Sequence, residues 1–281
     1  GGTIQTLTGL ANWDGFGESV DGLGDYDGDL WDDVVVGAPS AGDSQRGQAT
    51  VFSGATGMPI AMFTGDEDLD FLGRSVSRAL DVNDDGYNDV LVGIPNHDEV
   101  LQNVGEARVY SGFDNSLLCS FLGEDSGDQL GFSVSELGDT NGDGHAEVIV
   151  GSLAGGVKVY SDTQANPLLE FFGAPSSTFG RTVSSIPDVT GDNKPDILIG
   201  GTEESVLVPG PGFVRCYDGV TGALQWTKSG VADGDRFGIA LSGTADWDGD
   251  GTPDAVVAAD PTNAALQSYL RILSGDTGDV L

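Results

Sequence analysis

The sequence predicts an all-β fold, a β-propeller built from four-stranded antiparallel blades. An acidic string of one form recurs five times, and each copy is followed at once by a β-branched run. No amphipathic helical stretch lies between the copies. Successive copies begin 56, 58, 49 and 58 residues apart, a period typical of propellers and solenoids. The 281 residues are therefore expected to form a single domain, 1–281, of five similar units.

Each unit contains four short apolar segments separated by Gly, Asp, Asn and Pro turns, which predicts four strands. The first segment follows a Phe-Gly or Leu-Gly step, and the second follows the acidic string. The third has the form ATVFSGATG (49–57) and the fourth the form PIAMFTG (59–65). The predicted units are approximately 16–65, 71–123, 130–173, 179–229 and 237–281, the last completed by 3–9.

The two ends of the chain predict how the blades close. TIQTLTG (3–9) has the pattern of a fourth strand, and YLRILSGDTGDVL (269–281) has that of a third strand without a fourth. If the N-terminal strand completes the last blade, five blades close into a ring without the exposed edges of a linear stack. The alternative is that the five units are an excerpt of a seven-bladed propeller.

The acidic strings have the composition of calcium-binding loops. Oxygen-bearing side chains occupy string positions 1, 3, 5 and 9, and the position 7 carbonyl can add a backbone ligand. Calcium takes about six to eight oxygen ligands and tolerates irregular geometry, so we predict up to five Ca²⁺ ions, one per repeat. The predicted side-chain ligands are Asp25, Asp27, Asp29, Asp33, Asp81, Asn83, Asp85, Asp89, Asp139, Asn141, Asp143, Glu147, Asp188, Thr190, Asp192, Asp196, Asp246, Asp248, Asp250 and Asp254. The predicted carbonyl ligands belong to Trp31, Tyr87, His145, Lys194 and Thr252.

Repulsion among the clustered carboxylates favours a bound cation over a simple turn. Each pair of carboxylates about 4–5 Å apart costs about 3–4 kcal/mol at an effective dielectric constant near 20. Four carboxylates form about six pairs, and their total of roughly 20 kcal/mol exceeds a typical domain stability of about 5–15 kcal/mol. A metal-free loop is therefore expected to open. The alternative, an Asp- and Gly-rich turn with solvated acids, is common for a single isolated copy.

The five predicted sites are unequal. Position 6, where a left-handed backbone is expected, is Gly in the second, third and fifth strings. It is Leu30 in the first string, where we expect strain. The fourth string has a neutral Thr190, Asn193 at position 6 and the nearby cation of Lys194, so we predict this site to be the weakest.

These motifs resemble the FG-GAP repeats of the integrin alpha-subunit propeller. Phe16-Gly17 and Gly37-Ala38-Pro39 correspond to the two halves of that motif, with the acidic string 25–33 between them. The resemblance covers the whole chain and implies calcium loops between the first and second strands of each blade, with extracellular recognition as the usual role. The chain departs from integrins in having five units instead of seven, and the Gly-Ala-Pro half is weakened at 151–153 and 200–202.

The predicted function is protein or glycan recognition, or adhesion, by a non-catalytic calcium-binding propeller that is secreted or displayed at the cell surface. The alternatives are an accessory or structural module of a larger secreted or cell-surface enzyme, and a purely structural spacer. With 45 acidic against 11 basic residues, the net charge of −34 excludes nucleic acid and anionic membrane surfaces as favoured partners. No segment approaches the about 18 apolar residues of a membrane span, so no membrane insertion is expected.

The remaining candidate residues predict no catalytic centre. His145 lies inside a string, His97 is expected to be an exposed loop residue, and no Ser/His/Asp or Cys/His arrangement can be assembled. Cys119 and Cys216, in different repeats, are expected to be buried reduced thiols and not a disulfide. Trp13 and Trp226 are candidate contact aromatics, with turn packing as the alternative.

A partner surface is predicted at the acidic loops that follow the fourth strands. These loops are 64–70, 123–128 and 231–236, together with the longer loops 95–106 and 202–213. The alternative is a solvated acidic rim that keeps the protein soluble.

Overall fold

The structure is a computed structural model, which describes residues 5–9, 11–99, 101–154, 156–161, 166–174, 177–202, 210–262 and 267–281. The described residues form nineteen β-strands and one 3₁₀ turn, at Asp43–Gln45. No helix among them is long and apolar enough to cross a membrane. The prediction of an all-β fold is confirmed for this part of the chain. The chain divides into two compact units, Gly1–Val134 and Ser135–Leu281.

The first unit contains two four-stranded antiparallel sheets, each in sequence order. The first strands of the two sheets, β1 and β5, lie against each other. The first sheet consists of β1 (Val20–Gly24), β2 (Asp33–Ala38), β3 (Gln48–Phe52) and β4 (Pro59–Thr64). The second consists of β5 (Val76–Leu80), β6 (Asp89–Ile94), β7 (Glu106–Tyr110) and β8 (Leu117–Leu122).

The second unit repeats this arrangement. Its sheets again follow the order of the sequence, and β13 lies against both β10 and β17. The third sheet contains β9 (Leu130–Gly138), which crosses the boundary between the units, β10 (Glu147–Ser152), β11 (Gly156–Tyr160) and β12 (Leu169–Phe172). The fourth contains β13 (Thr182–Ile186), β14 (Asp196–Gly201), β15 (Phe213–Tyr217) and β16 (Leu224–Ser229). The fifth contains β17 (Ala240–Gly243), β18 (Ala255–Ala259) and β19 (Tyr269–Leu273).

The fifth sheet has three strands and the beginning of a fourth. A single bridge joins Leu273 to Val280, at the place where Tyr217 pairs with Leu224 in the fourth sheet. Residues 5–9 contain no assigned strand, and residues 3–4 of the predicted N-terminal strand lie outside the described residues. Five antiparallel sheets of three or four strands are consistent with a propeller, whereas the closed five-bladed ring stays a prediction.

Burial is highest in the second strand of each sheet and, in the four-stranded sheets, lowest in the fourth. Every residue of β6, β10 and β14 is buried, whereas β4 and β8 bury a single residue each, Phe63 and Phe121. This difference explains the continuous apolar runs after the acidic strings, because a strand covered on both faces needs no polar side. Phe63 stacks on Tyr110 of the next sheet, with 4.1 Å between ring centroids.

The Phe/Leu-Gly steps allow neighbouring sheets to approach closely. Gly73 has a φ of 83°, and a Cβ there would overlap the carbonyl oxygen of Gln48 in the preceding sheet. A Cβ on Gly37 would in turn overlap the carbonyl oxygen of Gly73. Gly200 and Gly238 form the corresponding contact in the second unit. The two glycines of the motif therefore meet across successive sheets, where a side chain would separate them.

Candidate metal centres

Each acidic string forms the loop between the first and second strands of a sheet. The string at 25–33 joins β1 to β2, and the string at 81–89 joins β5 to β6. The strings at 139–147, 188–196 and 246–254 join the corresponding strands of the third, fourth and fifth sheets. This is where the resemblance to FG-GAP repeats placed the calcium loops. All five candidate sites therefore occupy one position of the repeat.

The acid at position 1 holds the loop closed through two backbone N–H groups. Asp25 accepts hydrogen bonds from the N–H groups of Gly28 at 2.8 Å and Leu30 at 3.0 Å. Asp246 accepts from Gly249 at 2.6 Å and Gly251 at 2.9 Å. Position 1 accepts from position 6 in the second, third and fourth strings as well. These Asx-type bonds stabilise a tight turn before any ion is considered.

The acid at position 5 makes a second repeated hydrogen bond, to the N–H group of position 7. Its length is 2.9 Å from Trp31 to Asp29 and 2.7 Å from Thr252 to Asp250. The other three strings contain the same bond. Together these donors offset part of the repulsion among the carboxylates. The strings therefore form closed loops, whereas repulsion alone predicts an open loop without metal.

In the first and fifth strings, acids occupy positions 1, 3 and 5, and their carboxylates converge. Within the described part of the chain, two groups of three acids have carboxylate oxygens within 4.8 Å of one another. In the second and third strings, the Asn at position 3 donates its amide N–H to the position 5 carboxylate, at 2.9 Å in both. The convergent donors are all oxygens, which suits a hard cation such as Ca²⁺. The two acid groups are Asp25, Asp27 and Asp29, and Asp246, Asp248 and Asp250.

The acid at position 9 bridges two parts of its sheet. Asp89 is fully buried; one carboxylate oxygen accepts from the N–H group of Val82 and the other from that of Gly112, both at 2.9 Å. Asp33, Asp196 and Asp254 make equivalent bonds to their own loops and to Gly54, Gly219 and Gly275. Sequence reasoning missed this clamp, and the recurrent glycine after the third strand was its signal. Calcium binding by the position 9 acids stays a prediction, because backbone bonding alone explains why an acid recurs there.

Burial raises the pKa of three of the position 9 acids. The pKa of Asp89 rises to about 6, since burial outweighs the N–H donors of Gly112 and Val82 and the charges of Asp85 and Asp81 add to the effect. Burial also raises the pKa of Glu147 and Asp196. A buried carboxylate with a raised pKa lacks positive charge around it, which a cation in the loop would supply.

Position 6 adopts the left-handed backbone that we predicted in all five strings. The φ angles are 74° at Leu30, 63° at Asn193 and between 91° and 97° at the three glycines. Position 4 also has a positive φ, which we did not predict. It is 58° at Asp84, and the other four strings have Gly at this position, which was the available signal.

Lys194, which belongs to the fourth string, contacts the third string. Lys194 donates a hydrogen bond to the carbonyl oxygen of Asp139 at 2.6 Å, and its Nζ lies 3.6 Å from the Asp139 carboxylate. We had expected Lys194 to weaken its own string. The contact instead places its charge beside position 1 of the third string, where it would oppose a bound cation.

Comparison with known proteins identifies the repeat. Residues 72–110 match the FG-GAP repeat family model, from the Leu72-Gly73 step through the second string to β7. Residues 72–110 are an FG-GAP repeat. The FG-GAP resemblance inferred from the motifs is thereby confirmed.

Integrin alpha subunits are among the similar proteins. The chain is 27% identical to integrin alpha-V from Gallus gallus over 212 residues, which is 66% of this chain and 20% of that protein. It is 27% identical to integrin alpha-8 from Homo sapiens over 224 residues, 71% of this chain and 21% of that protein. It is 33% identical to integrin alpha-7 from Rattus norvegicus over 163 residues, 50% of this chain and 14% of that protein. The chain thus spans about a fifth or less of the length of these relatives.

The acidic loops after the fourth strands are partly structural. Asp70 and Asp235 are buried and accept backbone N–H groups of their own turns, and Asp235 also accepts from the hydroxyl of Tyr269 at 2.9 Å. The predicted partner surface therefore loses two of its acids to turn formation. Residues 203–209 of the predicted loop 202–213, and residue 100 of the loop 95–106, lie outside the described residues.

His97 is not the exposed loop residue that we expected. Its side chain is 12% exposed, with Nδ1 3.5 Å from Asp70 and Nε2 3.8 Å from Glu106. Arg108 forms a 2.7 Å ion pair with the same Glu106. The sequence could not show this cluster, because the FG-GAP loop that carries His97 folds back over the start of β7.

The two cysteines differ in burial, and so do Trp13 and Trp226. Cys119 and Cys216 form no disulfide; Cys216 is buried as predicted, whereas Cys119 on β8 is only partly buried. Burial raises the pKa of the Cys216 thiol, which keeps it protonated. Trp226 packs inside, its Nε1 donating to the carbonyl oxygen of Gly275 at 2.6 Å, whereas Trp13 is exposed.

Proposed function

We propose that this chain is a calcium-binding extracellular recognition module without catalytic activity, in which the FG-GAP loops bind up to five Ca²⁺ ions. The observation that carries the proposal is the convergence of three carboxylates, within 4.8 Å, at one position of two different repeats. Such clusters are costly without a counter-ion and suit the oxygen-only coordination of calcium. The similarity to integrin alpha subunits supports recognition of a protein or glycan ligand at the cell surface or outside the cell.

The proposed ligands are the side chains at positions 1, 3, 5 and 9 and the carbonyl at position 7 of each string. The first and fifth strings, with three convergent acids, are proposed as the tightest sites. The fourth string, with Thr190 at position 3, is proposed as the weakest. Calcium at about 1 mM, as found outside cells, fills sites of even this modest affinity.

Thermal unfolding with and without calcium tests the proposal. A ligand that binds only the folded state stabilises it by about 2.7 kcal/mol at a concentration of about 100 times its Kd. We therefore expect 5 mM CaCl₂ to raise the Tm by several degrees relative to excess chelator, and MgCl₂ to raise it less. Replacing Asp25, Asp27 and Asp29 by Asn should reduce the calcium shift.

A matched control is Asp43→Asn, which removes an exposed acid outside every string. It should leave the calcium shift unchanged, because it removes charge without removing a ligand. An equal Tm in calcium and in chelator for the unsubstituted protein would refute the proposal.

We also propose that the five sheets form a closed five-bladed propeller in which residues 3–9 complete the fifth blade. In support, Gln5 lies beside Gly57, and Thr8 lines a cavity of about 180 Å³ with Phe16 and Phe52 of the first sheet. In a closed ring, the strand formed by residues 3–9 would lie beside the first sheet, as β4 lies beside the second. The bridge at Val280 also leaves the rest of the fifth sheet's outer edge for another strand.

A further inference from the structure

A groove lies beside the acidic string of the second repeat, where the first two sheets meet. The groove has a volume of about 220 Å³ and is lined by Tyr26, Asp27, Ile60, Tyr87, Gly112, Phe113 and Asn115. All of these residues belong to the first unit, between the first two sheets. The volume is below the about 300 Å³ at which drug-sized pockets begin, so the groove suits one small ring.

Aromatic rings form part of the wall of the groove. The rings of Tyr87 and Phe113 lie 5.4 Å apart at a tilt of 52°, and Phe113 is 67% exposed. Together Phe113 and Tyr87 place apolar surface beside polar groups, a combination that commonly marks a binding site. The corresponding turn residue is Ala55 in the first sheet, Val220 in the fourth and Asp276 in the fifth, so the fold does not require an aromatic ring there.

Asn115 is a second departure from the other repeats. The turns of the first, fourth and fifth sheets have Gly57, Gly222 and Gly278 at this place, with φ between 70° and 72°. Asn115 keeps a φ of 63°, a conformation in which a side chain is disfavoured relative to glycine. Asn tolerates this conformation better than most residues with a Cβ, so the turn keeps its shape and gains a polar side chain.

One hydrogen bond, accepted by Oδ1, positions the side chain of Asn115, and its amide group remains able to donate. Its Oδ1 accepts a 2.7 Å hydrogen bond from the hydroxyl of Tyr26, which also contacts the carbonyl oxygen of Ser111 at 3.3 Å. Its amide N–H₂ has no partner among the described residues. The groove therefore offers a fixed amide donor, aromatic rings and the carboxylate of Asp27, whose lone pairs are enough to bind calcium and to accept from a hydroxyl together.

We propose that this groove binds a single sugar ring of a glycan ligand, with Phe113 and Tyr87 against its C–H face and Asn115 and Asp27 bonded to its hydroxyls. A sugar hydroxyl is both donor and acceptor, so it can satisfy the amide and the carboxylate together. A Lys or Arg side chain of a peptide has donors only and would leave the Asn115 amide without an acceptor. The proposal rests on the proposed recognition function and names its ligand class and site.

Two substitutions in the groove test the site. Each introduces the residue that another repeat has at the corresponding position. Phe113→Ala introduces the residue of the first sheet, and Asn115→Gly that of the first, fourth and fifth. Neither is therefore expected to prevent folding. Val220→Ala, at the turn of the fourth sheet, is the matched control.

The measurement is saturation-transfer NMR of the full chain in calcium with a panel of methyl glycosides of glucose, galactose, mannose, fucose and N-acetylglucosamine. We expect at least one glycoside to bind, each groove variant to weaken that binding by about tenfold or more, and Val220→Ala to leave it unchanged. The absence of binding by every glycoside, or binding that survives both substitutions, overturns the proposal. If an arginine-rich peptide binds in a way that depends on Phe113 and no glycoside does, the proposal is overturned in favour of peptide recognition. The calcium dependence of the Tm is recorded on the same samples, so a failure of this site is distinguishable from a failure of calcium binding.

Discussion

Leu30 has a side chain at a position where the loop requires a left-handed backbone. It occupies position 6 of the first string with a φ of 74° and is 89% exposed, so its side chain contributes little to packing. The left-handed conformation costs a residue with a Cβ about 1–2 kcal/mol, whereas glycine adopts it freely. The strain at this position was predictable from the sequence, because Gly recurs at position 6 of three other strings.

We predict that Leu30→Gly stabilises the protein. The relief of backbone strain should exceed the added entropy of glycine in the unfolded chain, for a net gain of about 0.5–1 kcal/mol. Urea unfolding measures this change. Leu30→Ala keeps a Cβ and should not produce the gain; equal stabilisation by both variants would show that the exposed Leu side chain, and not φ, is the cause.

At the scale of the element, each acidic string is held at both ends by carboxylates with different roles. The acids at positions 1 and 5 bond within the loop. In the first, second, fourth and fifth sheets, the buried acid at position 9 ties the loop to the turn after the third strand. Asp89 and Gly112 lie 23 residues apart in sequence. The pattern of oxygen-bearing residues was therefore predictable from local spacing, but the clamp was not, because it depends on pairing between distant strands.

We predict that Asp89→Asn and Asp85→Asn differ in how calcium affects their stability. Asp89→Asn directs an amide N–H₂ at a buried backbone donor, so it should destabilise the fold by about 1–3 kcal/mol in chelator as well as in calcium. Asp85 is exposed, so Asp85→Asn should change stability in chelator by less than about 0.5 kcal/mol and reduce the stabilisation by calcium. Denaturant unfolding of both variants under both conditions makes the comparison. A loss for Asp89→Asn that appears only in calcium would show that position 9 acts as a ligand and not as a clamp.

At the scale of the whole molecule, five copies of one supersecondary unit determine most of the fold. The strand order and the burial of the second strands follow from the repeat, because each sheet after the first places its Phe/Leu-Gly step against the preceding sheet. The number of blades in the ring is a different kind of property. It depends on the sum of small angles between sheets and on the pairing of distant ends, neither of which local sequence determines.

We predict that the closed ring brings Thr6 opposite Arg271. Thr50 pairs with Met62 in the first sheet, and the repeat places Arg271 at the position of Thr50 and Thr6 at that of Met62. Thr6→Cys with Arg271→Cys, in a Cys119→Ser background, should form an intrachain disulfide under mild oxidation, because paired strands hold Cβ atoms at bonding distance. Peptide mapping by mass spectrometry detects it. Thr6→Cys with Asp279→Cys is the control that should not cross-link; the absence of the first cross-link in folded, monomeric protein would contradict closure by this strand.

The central claim is that the FG-GAP loops hold calcium, and equilibrium dialysis of the full chain at about 1 mM free Ca²⁺ measures it most directly. We predict at least two and at most five ions per chain, with one ion lost when Asp25, Asp27 and Asp29 are replaced by Asn. Fewer than one ion per chain, or a stoichiometry that is unaffected by these substitutions, would contradict the account.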